Sequence, residues 1–63
     1  MICQLCDNEM ELENQYFYAT VNSNNHYKCP KCSTICVEHI RLSVPYRQIW
    51  RYKNGKKWEV DLG

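Results

Sequence analysis

Four cysteines form two C-x-x-C pairs, Cys3 with Cys6 and Cys29 with Cys32. The two-residue gap within each pair lets both sulfurs reach the same tetrahedral ion, and a hairpin between the pairs would bring them together. Thiolates are soft ligands that suit zinc, and four of them form a closed structural site. The sequence therefore predicts one structural Zn²⁺ held by all four cysteines.

The size of the chain explains why a metal would be needed. A domain of 63 residues buries only about 60% of its unfolded surface. Hydrophobic residues make up 44% of the chain, but that share includes five Cys, five Tyr and two Trp, and there is a single Phe. Structural zinc contributes about 10–16 kcal/mol in small finger peptides, more than such a thin aliphatic core could supply. We predict one zinc-dependent domain over residues 1–63.

The start of the chain and its cysteine count bear on the compartment. Met1 leads directly to the first cysteine pair, without a basic start or an apolar run, so the sequence shows no secretory leader. No stretch approaches the roughly 20 apolar residues of a membrane span. An odd number of cysteines also disfavours a disulfide framework. We expect a cytoplasmic protein with reduced thiols and no membrane partner.

The motifs C-x-x-C at 3–6 and C-P-K-C at 29–32 resemble the two knuckles of the zinc-ribbon superfamily. The resemblance covers roughly residues 1–44 and implies a short antiparallel sheet. One departure is that such knuckles usually carry Gly after the second cysteine, where this chain has Asp7 and Ser33. The resemblance implies roles in transcription, translation, nucleic-acid binding or protein docking, and it does not choose among them.

Three further residues could coordinate a metal. Cys36 could substitute for one of the four cysteines, but a lone apolar thiol on a strand is more often a small core residue. His26 and His39 are expected to be surface histidines. A helix after the second pair would instead make the domain a treble-clef finger. Nucleases of that layout need a catalytic histidine on the hairpin, where only His26 is present without a surrounding motif.

Catalysis has little support in the sequence. A site with four thiolate ligands leaves no open position for an activated water. The chain contains two glycines, no phosphate-binding glycine loop and no Ser-His-Asp arrangement. We predict that the protein is not an enzyme.

The segment between the cysteine pairs predicts a hairpin. Residues 16–21 are aromatic and β-branched and predict a strand, residues 22–25 (Asn-Ser-Asn-Asn) predict a turn, and residues 26–28 predict the returning strand. Residues 9–15 are acidic and weakly patterned, and we expect an irregular connection there. At Asp7 we expect positive φ, because a turn that wraps a metal needs it just after the second ligand.

Residues 34–44 are ambiguous between strand and helix. Their β-branched content favours a strand. One face of that strand would carry Cys36, Ile40, Leu42 and Val44. Pro45 is expected to end the segment.

The C-terminal segment, residues 45–63, predicts a β-hairpin appended to the ribbon. Asn54-Gly55 is the preferred pair for a two-residue type I′ turn. This turn sets Arg51 opposite Trp58 and Ile49 opposite Val60, with Ile49, Trp58 and Val60 packed inward.

Basic and aromatic residues are concentrated in this hairpin. Residues 1–40 carry two lysines and five carboxylates, a balance of −3, whereas residues 41–63 carry six cations and two carboxylates, a balance of +4. Cations attract phosphates, and exposed rings such as an outward Trp50 or Tyr52 would stack on unpaired bases. The predicted binding residues are Arg47, Trp50, Arg51, Tyr52, Lys53, Lys56 and Lys57. We predict binding to single-stranded nucleic acid or to a transcription or translation complex.

A protein-interaction adaptor, or an inhibitor of a host enzyme or polymerase, is the alternative. The net charge of +1 is nearly neutral, and Trp, Tyr and Arg are enriched at interface hot spots. The acidic residues Glu9, Glu11 and Glu13 beside a basic hairpin also suit charge-complementary docking. Outward aromatics on an edge hairpin would further suit a homodimer.

Overall fold

The computed structural model describes residues 1–18 and 20–62, so Ala19, within the predicted strand 16–21, and Gly63 lie outside the described residues. Five strands form one antiparallel sheet in the order β1-β2-β3-β4-β5. They are β1 (Glu11–Phe17), β2 (Asn22–Lys28), β3 (Ile35–Arg41), β4 (Val44–Arg51) and β5 (Lys57–Asp61). The described part contains no helix, which confirms the predicted fold class, a small all-β zinc ribbon, and excludes the helical alternative after Cys32.

The core is small and sits where the N-terminal segment covers the sheet. Its buried apolar members are Cys3, Met10, Cys29, Cys36 and Trp50. Three of these five are cysteines, so aliphatic packing contributes little. The N-terminal segment folds back through a bridge between Ile2 and Glu9 and lies over one end of the sheet.

The predictions for the first hairpin were partly wrong. Residues 11–17 form β1 rather than an irregular connection, with a bulge between Leu12 and Asn14. The asparagine-rich segment 22–25 lies inside β2 and is not a turn. Its amides stay in the strand because they find cross-strand partners: Gln15 Nε2 donates to Asn25 Oδ1 at 3.2 Å.

The connection between β3 and β4 also differs from the prediction. Leu42 and Ser43 form a two-residue turn in which both have positive φ, 52° and 65°, as a type I′ turn requires. Leu42 therefore lies in the turn and Val44 at the start of β4, both exposed, so they do not continue the strand face that carries Cys36. Pro45 does not end the segment; it lies in β4 opposite Ile40, beside a bulge, where its missing N–H is tolerated.

Between β4 and β5, Tyr52 and Lys56 form a closing pair around a loop of three residues, 53–55, instead of the predicted two. Tyr52 N–H donates to the Lys56 carbonyl at 2.8 Å, and Gly55 N–H donates to the Tyr52 carbonyl at 3.0 Å. Gly55 has φ of 92°, the left-handed conformation that closes this loop type and that glycine adopts without strain.

The longer loop shifts the pairing by one residue. Trp50 pairs with Trp58, and Gln48 pairs with Val60, so the predicted pairs Arg51–Trp58 and Ile49–Val60 were wrong. A one-residue shift exchanges the two faces of a strand. Trp50 consequently points into the core, where the sequence had placed Ile49.

The sheet has two unlike faces. The cysteine-side face carries Tyr27, Cys36, Trp50 and Trp58, which are paired in sequence across neighbouring strands and belong to the core cluster or pack against it. The open face is the opposite one, and a surface hollow there is bounded by residues of all five strands, among them Glu13, His26, Val37, Ile49, Arg51 and Lys57. Nowhere in residues 1–18 and 20–62 is there a helix long and apolar enough to cross a membrane.

Candidate metal centre

The four predicted ligands meet at one point. The sulfurs of Cys3, Cys6, Cys29 and Cys32 all lie within 4.8 Å of one another. Cys6 Sγ lies 3.2 Å from Cys29 Sγ and 3.5 Å from Cys32 Sγ, and all four cysteines are free thiols. Sulfurs bound to one tetrahedral ion at about 2.3 Å would be about 3.8 Å apart. The cluster therefore has the donor set and the size to hold one metal ion.

The first knuckle is a tight turn closed by backbone hydrogen bonds. Cys3 N–H donates to the Asn8 carbonyl at 2.9 Å, and Asp7 N–H donates to the Cys3 carbonyl at 3.1 Å. Asp7 has φ of 58°, as predicted for the position after the second ligand. Hydrogen bonds from Asn8, first from its side chain and then from its backbone, lower the pKa of Cys6 to about 6. This knuckle favours the thiolate that a metal requires.

The second knuckle repeats the same pattern. Cys29 N–H donates to the Thr34 carbonyl at 2.9 Å, and Ser33 N–H donates to the Cys29 carbonyl at 3.0 Å. Ser33 has φ of 62°, the left-handed conformation that glycine adopts most readily. The buried Thr34 hydroxyl lies 3.0 Å from Cys32 Sγ, and its hydrogen bond lowers the pKa of Cys32.

Cys29, the first cysteine of the second knuckle, has a raised pKa, in contrast to the lowered pKa values of Cys6 and Cys32. A hydrogen bond from the backbone of Cys32 lowers the pKa of Cys29, but burial and the neighbouring Cys6 sulfur outweigh it and raise the pKa to about 11. Metal binding must displace the proton of such a thiol. Occupancy is therefore expected to fall as the pH falls, because protons compete for the sulfurs.

Cys36 and the two histidines lie outside the four-sulfur cluster. Cys36 is fully buried in the same core as Cys3 and Cys29. Burial, with smaller effects of Glu38 and Cys3, raises the pKa of its thiol to about 12. A neutral buried thiol acts as a small apolar core residue, as the sequence suggested.

Contacts from the C-terminal hairpin position the first knuckle. Trp58 Nε1 donates to Gln4 Oε1, inside that knuckle, at 2.8 Å. The ring of Trp58 stacks on Trp50 with a centroid separation of 6.1 Å and an interplanar angle of 5°. Trp50 is 1% exposed, so the prediction that its ring faces outward was wrong, and it offers no surface to a ligand.

Of the remaining predicted binding residues, Arg47, Arg51 and Lys57 lie on the open face, and Tyr52, Lys53 and Lys56 lie in the segment that joins β4 to β5. Arg47, Arg51, Lys53, Lys56 and Lys57 are exposed, and Tyr52 is half-buried. Arg51 pairs with Lys57 across β4 and β5.

A hollow of about 420 Å³ lies where these cations meet the metal-bearing end of the sheet. We call this hollow the basic hollow; its lining residues are Lys28, Ser33, Ile35, Arg51, Tyr52, Lys53 and Gly55. Lys28 was not among the predicted residues. It lies near Arg51 because Lys28 pairs with Ile35 across β2 and β3, and Ile35 pairs with Arg51 across β3 and β4. No carboxylate is among the described lining residues.

Comparison with protein-family models, with curated proteins and with solved structures gave no match to this chain.

Proposed function

We propose that this chain is a non-catalytic zinc-binding module that binds single-stranded nucleic acid through the basic hollow. The zinc ion would be held by the four clustered cysteines and would fix the end of the sheet on which the hollow lies. Thiolate ligands at tetrahedral spacing favour zinc over harder cations.

The observation that carries the proposal is the composition of the basic hollow. Lys28, Arg51 and Lys53 supply three positive charges to a lining that also includes Tyr52, and Lys53 Nζ lies 5.9 Å from the centroid of the Tyr52 ring. Cations contact phosphates, and an aromatic ring stacks on an unpaired base at about 1–3 kcal/mol. A single strand presents both groups together, whereas a duplex hides its base faces.

The test is a matched pair of double variants in a fluorescence-anisotropy titration with a labelled oligouridylate. Lys28→Ala/Arg51→Ala removes two cations of the basic hollow, and Lys31→Ala/Arg41→Ala removes one Lys and one Arg elsewhere. We expect the first pair to weaken binding about 10–100-fold and to flatten the dependence of log K on log salt by about 1.4 units, at about 0.7 per lost phosphate contact. The control pair should change affinity no more than about twofold.

Equal losses in the two double variants would mean that net charge, not the hollow, controls binding. An absence of binding by the unaltered protein at low salt would refute the proposal. The alternative function, a protein-interaction adaptor or inhibitor, stays a prediction.

A further inference from the structure

Seven apolar or aromatic side chains are exposed at the end of the sheet opposite the cysteine cluster. This apolar tip consists of Phe17, Tyr18, Val21, Leu42, Val44, Tyr46 and Leu62. Backbone hydrogen bonds hold it in place. Leu42 N–H donates to the Val21 carbonyl at 2.8 Å, and Leu62 N–H donates to the Tyr46 carbonyl at 3.0 Å.

Leu42 is unsuited to its position for folding alone. It has φ of 52° in a two-residue turn whose preferred residues are Asn and Gly. Its side chain is 67% exposed, so burial within the chain does not offset the backbone strain. Backbone strain of this kind clusters at sites that bind other molecules.

The side chain of Leu42 forms a ridge between two hollows. One, of about 540 Å³, includes Phe17, Val21 and Ile40 in its lining, and Leu42 borders it. The other, of about 550 Å³, is lined by Arg41, Leu42, Val44, Pro45, Tyr46 and Leu62. Arg41 is the only charged residue among the described residues that line either hollow.

We propose that the apolar tip is a two-fold dimer interface in which Leu42 of each copy enters the partner's hollow beside Val44, Tyr46 and Leu62. A surface that carries both a projecting apolar side chain and an apolar hollow can pair with a second copy of itself about a two-fold axis, as an isologous contact requires. The low charge of the apolar tip suits contact with an identical surface, because a charged group near the two-fold axis would face the same charge on the partner.

The exposed area of the apolar tip is consistent with an interface to a second copy of the chain. Aromatic side chains have about 150–250 Å² of surface each. Three partly exposed aromatic and four partly exposed aliphatic side chains therefore offer several hundred Å², close to the ~800 Å² that each partner contributes to a standard interface.

The test is sedimentation velocity of the zinc-loaded full chain from about 1 µM to about 1 mM, the range in which interfaces with few anchors dissociate. The decisive variant is Leu42→Asn/Ser43→Gly. It supplies the preferred turn residues, so we expect its Tm to rise by roughly 5 °C. It also removes two buried leucines per dimer, so the dimer Kd should rise about 100-fold.

Two further variants control for indirect effects. Leu12→Asn makes the same exchange as Leu62→Asn at a position of equal exposure, 47%, on β1 near the cysteine cluster, and it should leave the dimer Kd unchanged. Leu62→Asn alters the hollow without touching the turn and should weaken the dimer. Added salt should leave the dimer Kd nearly unchanged, whereas it should weaken nucleic-acid binding. Either proposal can therefore be refuted without refuting the other.

A chain that stays monomeric up to about 1 mM would overturn the dimer. A dimer Kd unaffected by either Leu42→Asn/Ser43→Gly or Leu62→Asn would also overturn it. Monomeric protein that co-sediments with phosphatidylcholine vesicles would overturn it as well and assign the apolar tip to a lipid surface.

Discussion

We expect replacement of Cys29 with alanine to remove both the bound metal and the cooperative fold, whereas the same replacement at Cys36 should leave both in place. The two cysteines are equally buried and share one core, so the loss of packing is matched. Only Cys29 belongs to the four-sulfur cluster. Its loss should remove most of the roughly 10–16 kcal/mol that structural zinc contributes.

Native mass spectrometry and thermal denaturation measure the two outcomes. Cys29→Ala should bind no stoichiometric zinc. It should already be unfolded at about 25 °C and therefore show no cooperative thermal transition. Cys36→Ala should keep one zinc and lose about 1 kcal/mol, equivalent to a Tm roughly 4–8 °C lower. If both variants kept zinc, Cys29 would not be a ligand. If both variants lost zinc, Cys36 would also be needed for zinc binding, and the predicted difference between Cys29 and Cys36 would be wrong.

The second large effect is expected at Trp50. This side chain is 1% exposed, stacks on Trp58 and donates from Nε1 to Gln48 Oε1 at 3.1 Å. Truncation of such an aromatic to alanine costs about 3–5 kcal/mol. In a domain of this size, Trp50→Ala should lower the Tm by about 20 °C, measured by circular dichroism with zinc in excess.

Tyr16→Ala is the matched control for Trp50→Ala, since Tyr16 is an exposed aromatic that contacts His26 edge to face with ring centroids 4.8 Å apart. Its Tm should fall by no more than about 5 °C. Because the ligand set of Trp50→Ala is intact and binding favours the folded state, its Tm should rise further as the free zinc concentration is increased. A loss as small as that of Tyr16→Ala would contradict the buried position of Trp50.

The four-sulfur cluster could be predicted from the sequence because its determinants are local. The spacing within each pair identifies the ligands, and the positive φ at Asp7 follows from the turn that each knuckle must make. Ser33 adopts the same conformation for the same reason. The closed hydrogen-bond pattern of each knuckle spans only six residues, so few distant contacts decide it.

The hairpin register and the course of β2 could not be predicted because distant residues decide them. Asn54-Gly55 is compatible with a two-residue or a three-residue loop, and the choice depends on burying Trp50 against the cysteine-lined core. The polar segment 22–25 resembles a turn until its cross-strand amide partners are known. Lys28 likewise becomes part of the basic hollow only through strand pairing.

Circular dichroism and tryptophan fluorescence during titration with EDTA test most directly whether a sulfur-bound ion holds this chain in its fold. We expect a single cooperative loss of both signals as zinc is withdrawn, with recovery when zinc is returned. A metal-free chain that keeps its strand signal, its buried Trp50 fluorescence and a cooperative thermal transition would contradict that dependence.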